Sequence, residues 1–136
     1  MEINGGVNEM NVPSSLLYTN DHIWVKKEEG QVRIGVTEHA QSELGDIVFI
    51  ELPEEGDQLK SGEPFGSAES VKTVSEMYSP FSGKVIEKNS ELEDKPELVN
   101  ESPYENAWML VIKPDNEDDL DGLMTGEEYY ALLTDM

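Results

Sequence analysis

The 136-residue chain contains no cysteine, which excludes disulfides, thiolate zinc sites, iron–sulfur clusters and a cysteine nucleophile. A core of this size folds without such staples. Basic residues are scarce, with 9 Lys+Arg against 30 Asp+Glu and a formal net charge of −21. Nucleic-acid binding is thereby excluded, because phosphate recognition needs clustered Lys and Arg, and an anionic membrane surface repels the chain for the same reason. Long apolar runs are missing too; none approaches the roughly 20 residues of a membrane-spanning helix. The only histidines are His22 and His39, and no serine stands in a nucleophile-elbow context. No glycine-rich loop follows a strand to open a helix, so there is no nucleotide fingerprint. Most of the carboxylates fall in polar turns and on helix faces, where solvated charge is the plain reading.

The N-terminal stretch Met1–Met10 contains Asn4, Gly5, Gly6 and Asn8 but neither a basic region nor an apolar one, so it reads as neither a secretory signal nor a transit peptide. Residues 1–14 are read as a flexible leader and 15–136 as a single domain, expected in the cytoplasm.

Short strands dominate the domain. Val32, Ile34 and Val36 alternate with Arg33 and Gly35, the period-two signature of a half-buried strand. His22–Lys27 is expected to pair with it as a hairpin across Glu28-Glu29-Gly30. Thr37 is positioned to cap a short helix over 38–44, with Glu38 at its positive end and Gly45 as its stop. Asp46–Leu52 is apolar on both faces, as a central strand would be, and Pro53 ends it. Strands are also predicted over Pro64–Ser70, Thr73–Met77, Lys84–Glu87 and Trp108–Ile112. Gly45-Asp46-Ile47-Val48 and Gly83-Lys84-Val85-Ile86 share a pattern of glycine, charge and two β-branched residues, an echo too short to prove a repeat.

Two helices are expected at the C-terminus, from the spacing of Leu120, Leu123 and Met124 and of Tyr129, Leu132 and Leu133. Thr125-Gly126-Glu127-Glu128 has capping-box spacing at the start of the second. The fold class is α+β, mainly β: a small sandwich with one short internal helix and a helical tail. Glu117, Asp119, Asp121, Gly122 and Glu128 reproduce the spacing of a calcium-binding loop. The first ligand is Glu rather than Asp, however, and the apolar spacing runs helically through the loop, so a solvated acidic helix is the reading taken.

Lys72 stands apart from the other lysines. It sits between Val71 and Thr73-Val74, where two strands must reverse, with Glu69 and Glu76 on either side. A lysine at a hairpin tip is held clear of the fold and is accessible to another protein's active site. Neighbouring carboxylates favour its ammonium form, so it is a poor nucleophile by itself. By spacing alone it is either a target for acylation by an external enzyme or an ordinary surface lysine paired with those acids.

The surrounding octapeptide, Glu69-Ser70-Val71-Lys72-Thr73-Val74-Ser75-Glu76, resembles the lipoylation segment of the H-protein family of the glycine cleavage system. Tyr18-Thr19, His22 and Trp24-Val25 resemble that family's first strand. The resemblance continues in order through Gly35-Val36-Thr37, Ala40-Gln41, Leu44-Gly45-Asp46-Ile47-Val48-Phe49 and Glu51-Leu52-Pro53. Tyr78-Ser79-Pro80, Ser82-Gly83, Pro96-Glu97-Leu98-Val99-Asn100, Ser102-Pro103-Tyr104 and Trp108-Met109 complete it.

The resemblance implies a lipoyl-type hemi-barrel with a short internal helix and C-terminal helices, its two small sheets related by a pseudo-twofold. It implies a carrier rather than an enzyme, with lipoic acid in amide linkage on Lys72 and Glu69, Ser70, Val71 and Glu76 as the recognition context. The implied partners are four. Glycine decarboxylase (P protein) leaves an aminomethyl group on the arm, aminomethyltransferase (T protein) passes the one-carbon unit to tetrahydrofolate, and dihydrolipoamide dehydrogenase (L protein) reoxidises the dithiol. A lipoate ligase or a lipoyl/octanoyl transferase attaches the arm.

One departure stands out: the family usually has His-Glu-Trp where this chain has His22-Ile23-Trp24. In H proteins that glutamate, with an acid shortly after the modified lysine, is associated with docking the cationic aminomethyl arm; here the second acid matches Glu76 and the first is missing. Two readings are open. One is a working H protein that relies on Glu76 and other groups, the other an H-like lipoate carrier or relay serving 2-oxo acid dehydrogenases or sulfur metabolism. The rest of the chain supports the first. The lipoyl or biotinyl domain of a multienzyme complex is a rival, but biotinyl domains flank their lysine with methionine, and Val71 and Thr73 stand there. An unmodified acidic interaction module is another. On the carrier reading, the absence of cysteine leaves no thiol to form a mixed disulfide with a dithiol arm, and the acidic surface suits brief, salt-sensitive engagement of several enzymes.

Overall fold

The computed structural model describes residues 12–134. Among these residues nine strands form two sheets. Strands β1 (Leu17–Tyr18), β2 (Ile23–Glu28), β3 (Gln31–Val36), β5 (Gln58–Leu59), β8 (Gly83–Lys88) and β9 (Leu110–Pro114) make a six-stranded sheet in the order β1-β2-β3-β9-β8-β5. Strands β4 (Ile47–Glu51), β6 (Pro64–Ser70) and β7 (Val74–Tyr78) make a three-stranded sheet in the order β4-β6-β7. Among the described residues four helices, α1 (Glu38–Leu44), α2 (Glu91–Asp94), α3 (Leu98–Glu101) and α4 (Gly126–Thr134), accompany a 3₁₀ turn over Glu117–Gly122. None of the described helices is long and apolar enough to cross a membrane.

Period-two alternation builds the first hairpin as expected. Ile23 pairs with Val36 and Val25 with Ile34, and all four are buried. Gly30 closes the turn at φ +74°, in the left-handed region that favours glycine. The main core gathers Ile23, Val25, Ile34, Ile50, Ala68, Val85 and Ile112 from both sheets. A second cluster centres on Tyr18, Trp24 and Tyr129, in which the Tyr18 and Tyr129 rings stack at 4.6 Å. That cluster fixes α4 against the N-terminal strands.

The two segments of the glycine-led echo enter different sheets, β4 in the small one and β8 in the large. Two expectations are corrected. Strand β4 is an edge strand rather than a central one: it pairs with β6 alone, through an irregularity between Ile47 and Phe49. Its two-sided apolar pattern therefore leaves Val48 and Phe49 half exposed. The first C-terminal helix shrinks to the 3₁₀ turn, because Leu123 is extended and Met124 bridges to Tyr18. Glu128 is drawn into the capping box, its carboxylate accepting from the Thr125 N–H at 2.9 Å; among the described residues no group of three acidic or histidine side chains converges to hold a metal. Of the expected leader, residues 1–11 lie outside the described residues, and the Pro13 carbonyl accepts a hydrogen bond from the Tyr18 hydroxyl.

Candidate functional site

The β6–β7 hairpin turns through Val71 and Lys72, and Ser70 braces that turn. Its buried hydroxyl oxygen accepts from the backbone N–H groups of Lys72 and Thr73, both at 3.1 Å. The Ser70 N–H donates to the Thr73 carbonyl at 2.8 Å. A serine hydroxyl accepting from the amides two and three residues on is the mechanism that favours serine in tight turns. The Val71 N–H also donates to the Asp46 carbonyl at 3.1 Å, tying the tip to the loop after α1. With its backbone so held, the hairpin presents Lys72 to solvent.

The loop after α1 is itself clamped. Thr37 caps the helix by accepting from the Ala40 N–H at 3.2 Å, and Gly45 ends it at φ +84°. Asn100, on α3, then makes three bonds. Its carbonyl oxygen accepts from the Ile47 N–H at 2.9 Å, and its amide nitrogen donates to the Gly45 carbonyl and to Gln41 Oε1, both at 2.8 Å. Lys72 lies along this loop. Its Nζ donates to the Glu43 carbonyl at 3.3 Å, and its Cε is 3.1 Å from where a Cβ on Gly45 would sit.

On the inner side of the hairpin a half-open pocket of about 260 Å³ begins beside this contact, lined by Asp21, His22, His39, Ala40, Glu43, Leu44 and Ser75. Ala40 and Leu44 supply apolar wall, the two carboxylates a negative rim, and the imidazoles and Ser75 hydrogen-bonding groups. His22 holds a left-handed backbone at φ +67°. Its Nδ1 lies 2.7 Å from the Tyr129 hydroxyl, which lies 2.8 Å from Thr37 Oγ1. Burial, reinforced by the neighbouring His39, holds His22 below the usual histidine range and so in its neutral form. Burial likewise pushes the Tyr129 hydroxyl up to about 12.

The residues singled out from sequence are distributed over two faces of the hairpin. Glu69 and Glu76 both lie on the outer face, in register with Phe49 or Val74 and with Ser67 respectively. The small sheet's inner face carries Ala68 and Ser75. Among the described residues the ion pairs are Arg33–Glu28 and Lys88 with Glu54 and Glu93; Lys72 has no part in them, so pairing with its flanking acids is not what holds it. Ile23 is 1% exposed and points into the main core. Sequence reasoning did not single out the His22–Tyr129–Thr37 chain, nor Asn100 as the clamp. A polar amide between Val99 and Glu101 at the end of a short helix was the one local sign of the latter.

A two-sheet β fold that presents one lysine on a braced hairpin tip beside a half-open pocket defines a carrier domain of the lipoyl hemi-barrel class. A family model described as glycine cleavage H-protein matches residues 16–136. A glycine cleavage system H protein of Oceanobacillus iheyensis is 60% identical over 126 residues, covering 93% of this chain and 100% of the relative. One from Bacillus licheniformis is 58% identical over 124 residues, covering 91% of this chain and 98% of the relative. The crystal structure of a glycine cleavage system H protein from Mycobacterium marinum superposes with a TM-score of 0.84 at 35% identity, covering 90% of this chain and 99% of that one. The chain belongs to the glycine cleavage H-protein family. It is a lipoyl carrier of the glycine cleavage system, a carrier component that is not itself catalytic.

Proposed function

We propose that Lys72 carries the lipoyl group in amide linkage, and that the adjoining pocket shelters the arm between visits to the P, T and L proteins. The observation that carries this reading is the exposed Lys72 side chain, held on a braced turn with its Nζ at the pocket rim beside Glu43. A lipoyl group suits these surroundings: the stem emerges next to an apolar wall of Ala40 and Leu44, with polar groups around it. When bound it supplies a disulfide able to accept the amine-bearing one-carbon fragment of glycine and a dithiol that is then reoxidised.

The protein's own part is positioning. Ser70 fixes the direction in which the stem leaves the hairpin, and Gly45 leaves room for its Cε. Ala40 and Leu44 exclude water from one wall. Asp21 and Glu43 put carboxylates on the pocket rim, where they attract a cationic amine. They take the role that the resemblance gives to the acid replaced here by Ile23. His22, held neutral, adds no positive charge against that amine.

Intact-mass measurement after incubation with lipoate ligase, ATP and lipoate tests the attachment. The reading expects one lipoyl increment on the wild type and none on Lys72→Arg; an unmodified wild type, or a biotin increment from a biotin ligase, overturns it. Glycine–bicarbonate exchange with purified P protein tests the pathway: exchange above background is expected with the lipoylated chain, and background exchange alone refutes the assignment.

A further inference from the structure

Among the described residues five large apolar side chains are notably exposed, and four of them, Val48, Phe49, Val71 and Val74, lie on the Lys72 hairpin or on β4 paired with it, with Ile86 the exception. Strand register explains how they come together. Phe49 lies opposite Glu69, and Glu69 opposite Val74, so the three form one cross-strand row. Residues paired across a ladder share a face, and the buried Ile50 and Ala68 in the next row occupy the opposite one. Glu51, Ser67 and Glu76 form the following row on the outer side. The outer face of the small sheet is therefore an apolar row next to the hairpin tip, with a carboxylate at its centre and two more below. Phe49 is 50% exposed and Val74 61%. Apolar surface left in water with an acidic border marks an interaction site.

We propose that this face is the docking surface for the enzyme that acylates Lys72, an enzyme presenting an apolar patch bordered by Lys or Arg. The proposal rests on the assignment of Lys72 as the lipoylated residue. Two constraints select this occupant. An acylating enzyme must bring its acyl carbon to bonding distance of Nζ itself, so its surface meets whatever flanks the hairpin; enzymes that act at the far end of an arm need not. On the inner side the tip lies against the loop after α1. The Lys72 Nζ rests on the Glu43 carbonyl, its Cε lies against Gly45, and the Val71 N–H is bonded to the Asp46 carbonyl. The open approach is over Phe49 and Val74. Glu51, Glu69 and Glu76 there would face the enzyme's cationic border.

In the acylation the Nζ lone pair attacks the carbonyl carbon of a lipoyl adenylate. The C–N bond forms as the C–O bond to phosphate breaks, AMP leaves, and the ammonium group gives up two protons in all.

The test is steady-state lipoylation by a lipoate ligase with ATP and lipoate, followed by mass spectrometry, on Phe49→Ser, Val74→Ser, the double variant and Ile86→Ser. The substituted side chains are exposed, so circular dichroism and thermal melting serve to verify folding. Each patch variant is expected to raise the KM for the carrier by about tenfold with little change in kcat, as loss of an apolar anchor does, and Ile86→Ser to match wild type. Glu51→Gln is expected to flatten the salt dependence of kcat/KM. A double variant acylated at the wild-type kcat/KM overturns the proposal, as does an equal loss in Ile86→Ser. If the double variant is acylated normally but, once lipoylated, slows glycine–bicarbonate exchange, the face serves a downstream enzyme and the proposal is wrong. A wild type that accepts no lipoyl group refutes the assignment of Lys72 itself.

Discussion

The Lys72 side chain lies back along the loop after α1 and donates from Nζ to the main-chain carbonyl of Glu43 at 3.3 Å, leaving both flanking acids aside. A single long hydrogen bond at the surface holds the stem only weakly. Lys72→Arg should therefore change stability by less than about 0.5 kcal/mol, while abolishing the lipoyl mass increment and all carrier activity. A variant that melts several degrees lower would show that this contact supports the fold.

Gly45 combines a left-handed backbone with close approach to Lys72. Gly45→Ala should cost roughly 1–3 kcal/mol through its backbone conformation alone (φ +84°, ψ −156°), which only glycine adopts readily. The added methyl would also press on the Lys72 Cε at 3.1 Å. Because the lysine stem is flexible and exposed, it yields, and acylation should persist at a reduced rate. Chemical denaturation and a lipoylation time course separate the two effects.

Periodicity made the first hairpin, α1 with its Thr37 and Gly45 caps, and the two strands around Lys72 legible in advance, because each is set by neighbours a few residues away. The edge position of β4 was not legible. Ile47–Glu51 is apolar on both sides whether it is buried by a third strand or exposes Val48 and Phe49 to a partner. Leu98–Glu101 and Glu91–Asp94 are single helical turns, too short for a periodic signal. The pocket is assembled from Asp21, His39 and Ser75, which lie far apart in sequence, and only tertiary packing joins them. Glu69 and Glu76 flank Lys72 in sequence, yet the pleat of the strands turns them to the face away from Ser75.

Asn100 joins three main-chain or side-chain groups that would otherwise lose partners on one side of the pocket. Asn100→Ala leaves the Ile47 N–H without its acceptor and the Gly45 carbonyl without its Asn100 donor. The expected destabilisation is roughly 1–3 kcal/mol. Hydrogen exchange at the Ile47 amide should accelerate well beyond exchange in β8. Equal protection in the variant would show that the clamp is redundant.

Ile23 tests the electrostatics of the arm. Its side chain is almost fully buried, so Ile23→Glu places a carboxyl in apolar surroundings at a cost of roughly 2–4 kcal/mol at neutral pH. Burial raises the folded pKa of such a group, so the cost should shrink as pH falls through that raised value. Retention of the amine instead depends on the rim acids. Asp21→Asn with Glu43→Gln should release ammonia faster from the glycine-loaded carrier, and an unchanged rate would remove those two residues from the mechanism.

His22 gives the fold a pH dependence whose sign is set by its surroundings. Its pKa is lowered in the folded state by burial and by His39, against smaller opposing contributions from Asp21 and Glu43. The unfolded chain therefore binds a proton on this side chain before the folded one does. The stabilisation is fully present above the ordinary histidine value of about 6.5. It falls as pH drops through that value, and it stops falling once the folded His22 is also protonated. The informative quantity is the difference in melting temperature between wild type and His22→Asn. Asparagine tolerates the left-handed backbone at φ +67° but cannot titrate. Wild type should lose its advantage over the variant between about pH 7 and pH 5. A difference that stays constant across that interval would mean that the bond to Tyr129 survives protonation and that His22 contributes no proton linkage.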